Sequence, residues 1–143
     1  MKEIIQFFLR HSILSLIWIV LFFKLMFDIL KNYFYKIDEI ACSETINLIN
    51  RENAIIIDLR NHEDYLKGHI INSLNLTPKD IKSSNLDELK KEKSNPIIFV
   101  CAYGINSHDS AKFLLKAGFK RIYILKEGIF GWNMENLPLV SGK

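Results

Sequence analysis

Two patterns of apolar residues divide this chain. Between Ser12 and Phe23 no charge interrupts the apolar run that Ile13 and Leu14 begin, and Leu25, Met26 and Phe27 extend it past Lys24. Phe7, Phe8 and Leu9 precede it, ahead of Arg10. Arg10 and Lys24 can snorkel outward, and Lys24 lies one helical turn from Asp28. With that allowance roughly residues 8–27 cross a hydrocarbon layer that asks for about 20. Tyr33, Phe34 and Tyr35 follow as an interfacial aromatic belt. A cleaved signal peptide would need small residues near its cleavage site, and residues 24–30 offer none. A surface-lying helix does not suit Ile13–Phe23, which is apolar on every side. The expectation is an uncleaved transmembrane helix, with residues 1–36 as anchor and interfacial segment and residues 37–143 as the domain it carries.

From Lys36 onward short apolar runs alternate with amphipathic ones. Ala54–Leu59 reads as a buried strand ending in Asp58, with Arg60 just beyond. Residues 73–76, 97–100 and 121–125 read as further strands. Ser43 is placed to cap a helix through Glu44, Ile46, Leu48 and Ile49. Residues 62–67 read as a short helix stopped by Gly68. Thr77-Pro78-Lys79-Asp80 is a helix start with hydroxyl cap, proline and acid in the favoured places. Residues 86–91 give a charged surface helix, residues 107–116 a helix closed by Gly118, and residues 128–133 a last turn or helix. The tail 141–143 is expected to fray. Short strands alternating with helices predict an α/β domain of three layers around a parallel sheet.

The candidate chemistry lies in residues 96–110. The apolar run Ile97–Val100 stops at Cys101, Gly104 sits in a tight loop, and a helix begins after Ser107. Loop amides and the dipole of that helix favour negative charge, which is one way to build a reactive thiolate. The same stretch also reads as a buried strand-end cysteine that packs as a small hydrophobe.

Charge and composition narrow the picture. The net charge of +3 comes from scattered lysines alternating with acids, which is not a nucleic-acid footprint. Only Cys42 and Cys101 occur, so no disulfide framework is implied, and His11, His62, His69 and His108 show no metal-ligand spacing. Lys24, Lys31 and Lys36 outnumber Lys2 and Arg10 across the apolar run, which leans the C-terminal domain toward the cytoplasm.

Asp58-Leu59-Arg60, Glu63-Asp64-Tyr65, residues 67–70 and residues 73–76 together resemble the first signature of rhodanese-like domains. Residues 117–132, with Leu137-Pro138, resemble their C-terminal signature, and Cys101 lies where that family places its active-site cysteine. The resemblance covers about residues 38–140. With the N-terminal run, the layout resembles the bacterial single-domain rhodaneses anchored in the inner membrane. It implies a rhodanese-like three-layer fold with a parallel sheet of about five strands. It also implies sulfurtransfer: Cys101 takes sulfane sulfur from thiosulfate or a persulfide, holds it as a persulfide, and passes it to a thiol acceptor. No cofactor or metal is needed. The substrate loop would be Ala102, Tyr103, Gly104, Ile105, Asn106 and Ser107, with His108, Asp58 and Arg60 in tuning positions.

One departure shifts the donor. Ala102 and Asn106 stand where active members often carry arginines, so a persulfide suits the loop better than thiosulfate. A cysteine phosphatase would want an arginine where Ser107 stands. Asp58 with Arg60 also reads as a structural ion pair, His69 as a turn-fixing residue, Trp132 as a core plug, and Tyr103 as either a partner contact or simply exposed. Cys42 is inert unless it approaches Cys101 as a relay. Two other classes stand beside sulfurtransfer: a tethered module docking on an inner-membrane protein complex, and a redox-sensing thiol.

Overall fold

The computed structural model describes residues 1–83, 86–104 and 107–142. The chain divides into two compact units, Met1–Lys36 and Ile37–Lys143.

The first unit holds α1 (Lys2–Arg10) and α2 (Ser12–Phe34). They are separated at His11, whose φ of −123° and ψ of 49° leave the helical region. In α2 the stretch Ser12–Lys31 is 20 residues long with mean hydropathy 2.4, and it is not buried inside the protein. At 1.5 Å per residue that is about 30 Å, the hydrocarbon thickness. This helix, long and apolar enough to cross a membrane, begins after the expected start of the span at residue 8, because the break at His11 puts Phe8 and Arg10 on a separate helix. Lys24 and Asp28, at i,i+4 spacing, fall inside it.

The second unit is a five-stranded sheet. β1 (Asp38–Ile40), β2 (Ile55–Asp58), β3 (Leu74–Asn75), β4 (Ile97–Val100) and β5 (Ile122–Leu125) lie in the order β1-β5-β4-β2-β3. All pairings are parallel, with Asp58 opposite Val100 and Ile97 opposite Ile122. β4 is central and buried at every residue, as its unbroken apolar run requires when both faces are covered.

The helices are α3 (Cys42–Glu52), α4 (His62–Lys67), α5 (Pro78–Ser83), α6 (Asp87–Lys90), α7 (His108–Lys116) and α8 (Gly128–Met134). Alternation along the strands sorts the core into two layers. Ile57, Phe99, Cys101 and Ile124 pack with Ile81, Leu89, Ala111 and Leu114. Ile56, Ile98, Val100 and Leu125 pack with Cys42, Ile129 and Trp132 on the other side.

Several local expectations change. β1 was not expected, since it is short and carries two exposed acids before its one buried residue, Ile40. The N-cap of α3 is Ala41 rather than Ser43, and the Ala41 carbonyl accepts both the N–H and the hydroxyl of Thr45, each at 3.0 Å. Gly68 ends α4 with φ 175°, extended backbone open to any residue, so it is not a left-handed stop. The C-terminal tail is tied down to Gly142, whose N–H donates to the Leu66 carbonyl at 2.9 Å. Thr77 and Asp80 behave as read: the Thr77 N–H and hydroxyl donate to the Asp80 carboxylate at 2.9 and 2.7 Å. Those bonds hold the Asp80 carboxyl below its ordinary range.

Candidate active site

Cys101 follows the last residue of β4 and is 6% exposed. The chain then turns so that the Gly104 N–H donates to the Cys101 Sγ at 2.8 Å. Gly104 has φ 85°, in the left-handed region, and a Cβ there would stand 3.1 Å from the Glu127 nitrogen. A side chain there would be strained by the backbone conformation and crowded against the Glu127 backbone.

The loop is held from α8. The first amides of a helix have no partner within the helix. Here the Ile129 N–H donates to the Cys101 carbonyl at 2.9 Å and the Phe130 N–H to the Ala102 carbonyl at 3.1 Å. That approach depends on Gly128 (φ 55°), where a Cβ would fall 2.0 Å from the Cys101 oxygen. Glu127, just before it, is also left-handed, at φ 62°.

Among the other expected residues, Tyr103 is 64% exposed and its ring lies 5.7 Å from that of the exposed Phe130. Ile105 and Asn106 lie outside the described residues. Ser107 is fully buried, and its hydroxyl neither caps α7 nor has another hydrogen-bond partner among the described residues. His108 opens α7, half-exposed, with Nε2 3.6 Å from Glu39.

Asp58 and Arg60 form a fork. Arg60 Nε and Nη2 donate to the carboxylate at 3.0 and 2.8 Å, and Nη2 also donates to the Gly68 carbonyl at 2.6 Å. The pair thus ties the end of β2 to the end of α4. His69 is buried, stacked on Tyr65 with centroids 3.8 Å apart, and its Nδ1 donates to the Tyr65 carbonyl at 2.8 Å. Its backbone bridges Val140, so it fixes the turn and the C-terminal segment together. Trp132 is buried in the α8 layer and donates from Nε1 to the Pro138 carbonyl at 3.1 Å.

Cys42 and Cys101 are both free thiols, packed in opposite layers of the sheet. Burial pushes the Cys42 thiol above its ordinary value, and the charges of Glu135 and Glu127 add to that.

A cavity of about 470 Å³ opens beside the loop, lined by Glu39, Tyr103, Gly104, His108, Lys126 and Glu127. Glu39, Lys126 and Glu127 were not expected at the site. The one available signal was position: Lys126 and Glu127 directly follow a buried strand, at the end of a parallel sheet where ligands bind.

A parallel sheet covered on both faces, whose central strand ends in a cysteine that accepts a hydrogen bond from a loop amide, is the arrangement that the sequence resemblance implies. The chain belongs to the rhodanese-like family: the Rhodanese-like domain model matches residues 42–135. YibN of Escherichia coli K12 is 46% identical over 143 residues, covering 100% of both chains. The thiosulfate sulfurtransferase GlpE of Actinobacillus pleuropneumoniae serotype 3 is 34% identical over 101 residues, covering 71% of this chain and 91% of its own. Among solved structures, a rhodanese-related protein of Thermoplasma volcanium superposes with TM-score 0.62 at 23% identity, covering 72% of this chain and 97% of that one. The thiosulfate sulfurtransferase of Pseudomonas aeruginosa gives TM-score 0.66 at 24% identity, covering 75% of this chain and 21% of that one. These structures share the fold.

Proposed function

We propose that the chain is a membrane-tethered sulfurtransferase that carries sulfane sulfur as a persulfide on Cys101. The observation that carries this reading is the Gly104 N–H aimed at the Cys101 sulfur from 2.8 Å. A donor of this kind stabilises negative charge on sulfur without a cation. The thiolate of Cys101 attacks the outer sulfur of the donor and forms a new S–S bond. The donor's own S–S bond breaks, and the donor leaves with the electron pair, as a thiolate from a persulfide or as sulfite from thiosulfate. Ala102 supplies no charge to the loop, so a persulfide is the preferred donor over the thiosulfate dianion.

Ser12–Lys31 of α2 is the tether. Lys24 and Lys31 in its C-terminal half and Lys36 beyond it outnumber Lys2 and Arg10 before it, so the domain faces the cytoplasm from the inner membrane. The test is sulfur transfer from a cysteine-persulfide donor to cyanide by the full chain in detergent. Cys101→Ser abolishes it while circular dichroism stays unchanged; undiminished transfer by that variant rules the reading out.

A second reading, a tethered module docking on a membrane-protein complex, draws on the exposed Tyr103–Phe130 pair at the loop. Crosslinked partners that survive Cys101→Ser but vanish on Tyr103→Ala with Phe130→Ala would favour it.

A further inference from the structure

The cavity beside the loop is lined by charged side chains that the chemistry at Cys101 does not use. Three strands converge on it at their carboxyl ends: β1 brings Glu39, β4 leads into Tyr103 and Gly104, and β5 leads into Lys126 and Glu127. Ligands of open parallel sheets bind in that crevice. At about 470 Å³ the cavity falls within the range of small-molecule sites, roughly 300–1,000 Å³. Gly104 belongs to both places, lining the cavity and donating its N–H to the Cys101 sulfur. The cavity and the cysteine loop thus meet at Gly104.

The lining carries both signs of charge. Lys126 stands with Glu39 and Glu127, and Glu39 lies 3.6 Å from His108 with both side chains 44% exposed. A dianion such as thiosulfate would meet two carboxylates for one ammonium. A thiol that carries an ammonium and a carboxylate finds a partner for each.

We propose that this cavity receives the sulfur acceptor, and that the acceptor is a low-molecular-weight zwitterionic thiol of the amino-acid type. Its ammonium faces Glu39 and its carboxylate faces Lys126. The proposal rests on the reading of Cys101 as a persulfide carrier. In the transfer step the acceptor thiolate attacks the terminal sulfur of the protonated persulfide and forms the new S–S bond. The bond to the Cys101 sulfur breaks, Cys101 keeps the electron pair as thiolate, and the proton leaves on the transferred sulfur. No outside oxidant or reductant enters.

The test discharges the sulfur-loaded full chain, in detergent, to four small thiols. Cysteine carries both charges, cysteamine the ammonium alone, mercaptopropionate the carboxylate alone, and mercaptoethanol neither. Dividing each variant's kcat/KM by that of the unaltered chain for the same thiol cancels the thiol's own nucleophilicity. Lys126→Met is expected to depress cysteine and mercaptopropionate about five-fold more than cysteamine, the scale of a partly exposed ion pair. Glu39→Gln is expected to depress cysteine and cysteamine about five-fold more than mercaptopropionate. Equal effects on all four thiols would overturn the acceptor assignment and leave sulfur carriage standing. Failure of Cys101 to load any sulfur would remove the reading beneath it, a result visible before any acceptor is added.

Discussion

At Gly128 a hydrogen atom stands where any other residue would press a Cβ to 2.0 Å from the Cys101 oxygen and 2.9 Å from the Ala102 carbonyl carbon. Both obstacles are backbone, so nothing flexible can yield. Gly128→Ala should shift the cysteine loop and lower the apparent Tm of the full chain in micelles by about 10 °C or more, since about 1 kcal/mol moves a domain of roughly 100 residues by about 4–8 °C. An unchanged melting curve would mean that the loop and α8 are not clamped as described. Cys42 illustrates the opposite use of a cysteine. Burial first, then Glu135 and Glu127, raise its pKa, so at neutral pH it stays a neutral thiol and a poor nucleophile. Iodoacetamide at neutral pH should leave Cys42 unmodified in the folded chain and label it after guanidinium unfolding, as read by peptide mass mapping. Rapid labelling in the folded state would contradict its placement.

Among the elements, the end of β2 depends on one charge pair. Asp58 is 1% exposed, and Arg60 both forks onto its carboxylate and reaches the Gly68 carbonyl. Removing one partner of a buried pair strands the other, so Arg60→Met should cost about 3 kcal/mol in chemical denaturation. Adding Asp58→Asn to that variant should recover part of the loss; a strictly additive double variant would argue against the pair. At the start of α5, Thr77 lowers the Asp80 pKa, first through its hydroxyl and then through its N–H. A depressed carboxyl contributes stability in full above the unfolded-chain value of about 4 and loses it as pH falls through the folded value. The stability gap between the unaltered chain and Thr77→Val should therefore narrow as pH drops below about 4. A gap constant with pH would place the cap's effect outside the ionised carboxylate.

Elements differ in how far the sequence discloses them, and the reasons are physical. β2, β4 and β5 are legible because strands buried on both faces must be apolar without interruption. Among the described residues β1 pairs only with β5 and buries only Ile40, and so has no run to read. Cys101 and Gly104 are legible as a loop between strand and helix. The grip of Gly128, and the arrival of Glu39 and Lys126 at the same place, depend on β5 lying between β1 and β4, a neighbour relation that no local pattern encodes. Ser43 misled because a polar residue inside the first turn looks like a cap when the true cap, Ala41, has no polar side chain.

For the whole molecule, α2 and the sulfur site make separate demands. If Ser12–Lys31 is the tether, the full chain should stay with membranes through alkaline carbonate extraction, and a chain lacking residues 1–36 should not. Release of the full chain by carbonate would count against the span. The sulfur carrier itself is tested most directly by intact-mass spectrometry of the full chain in detergent, after exposure to a cysteine-persulfide donor and, separately, to thiosulfate. A persulfide carrier gains one added sulfur from the persulfide donor, removed by cyanide and absent in Cys101→Ser, with less or none from thiosulfate. A folded chain that gains no sulfur from either donor, or gains it equally in Cys101→Ser, would contradict that reading.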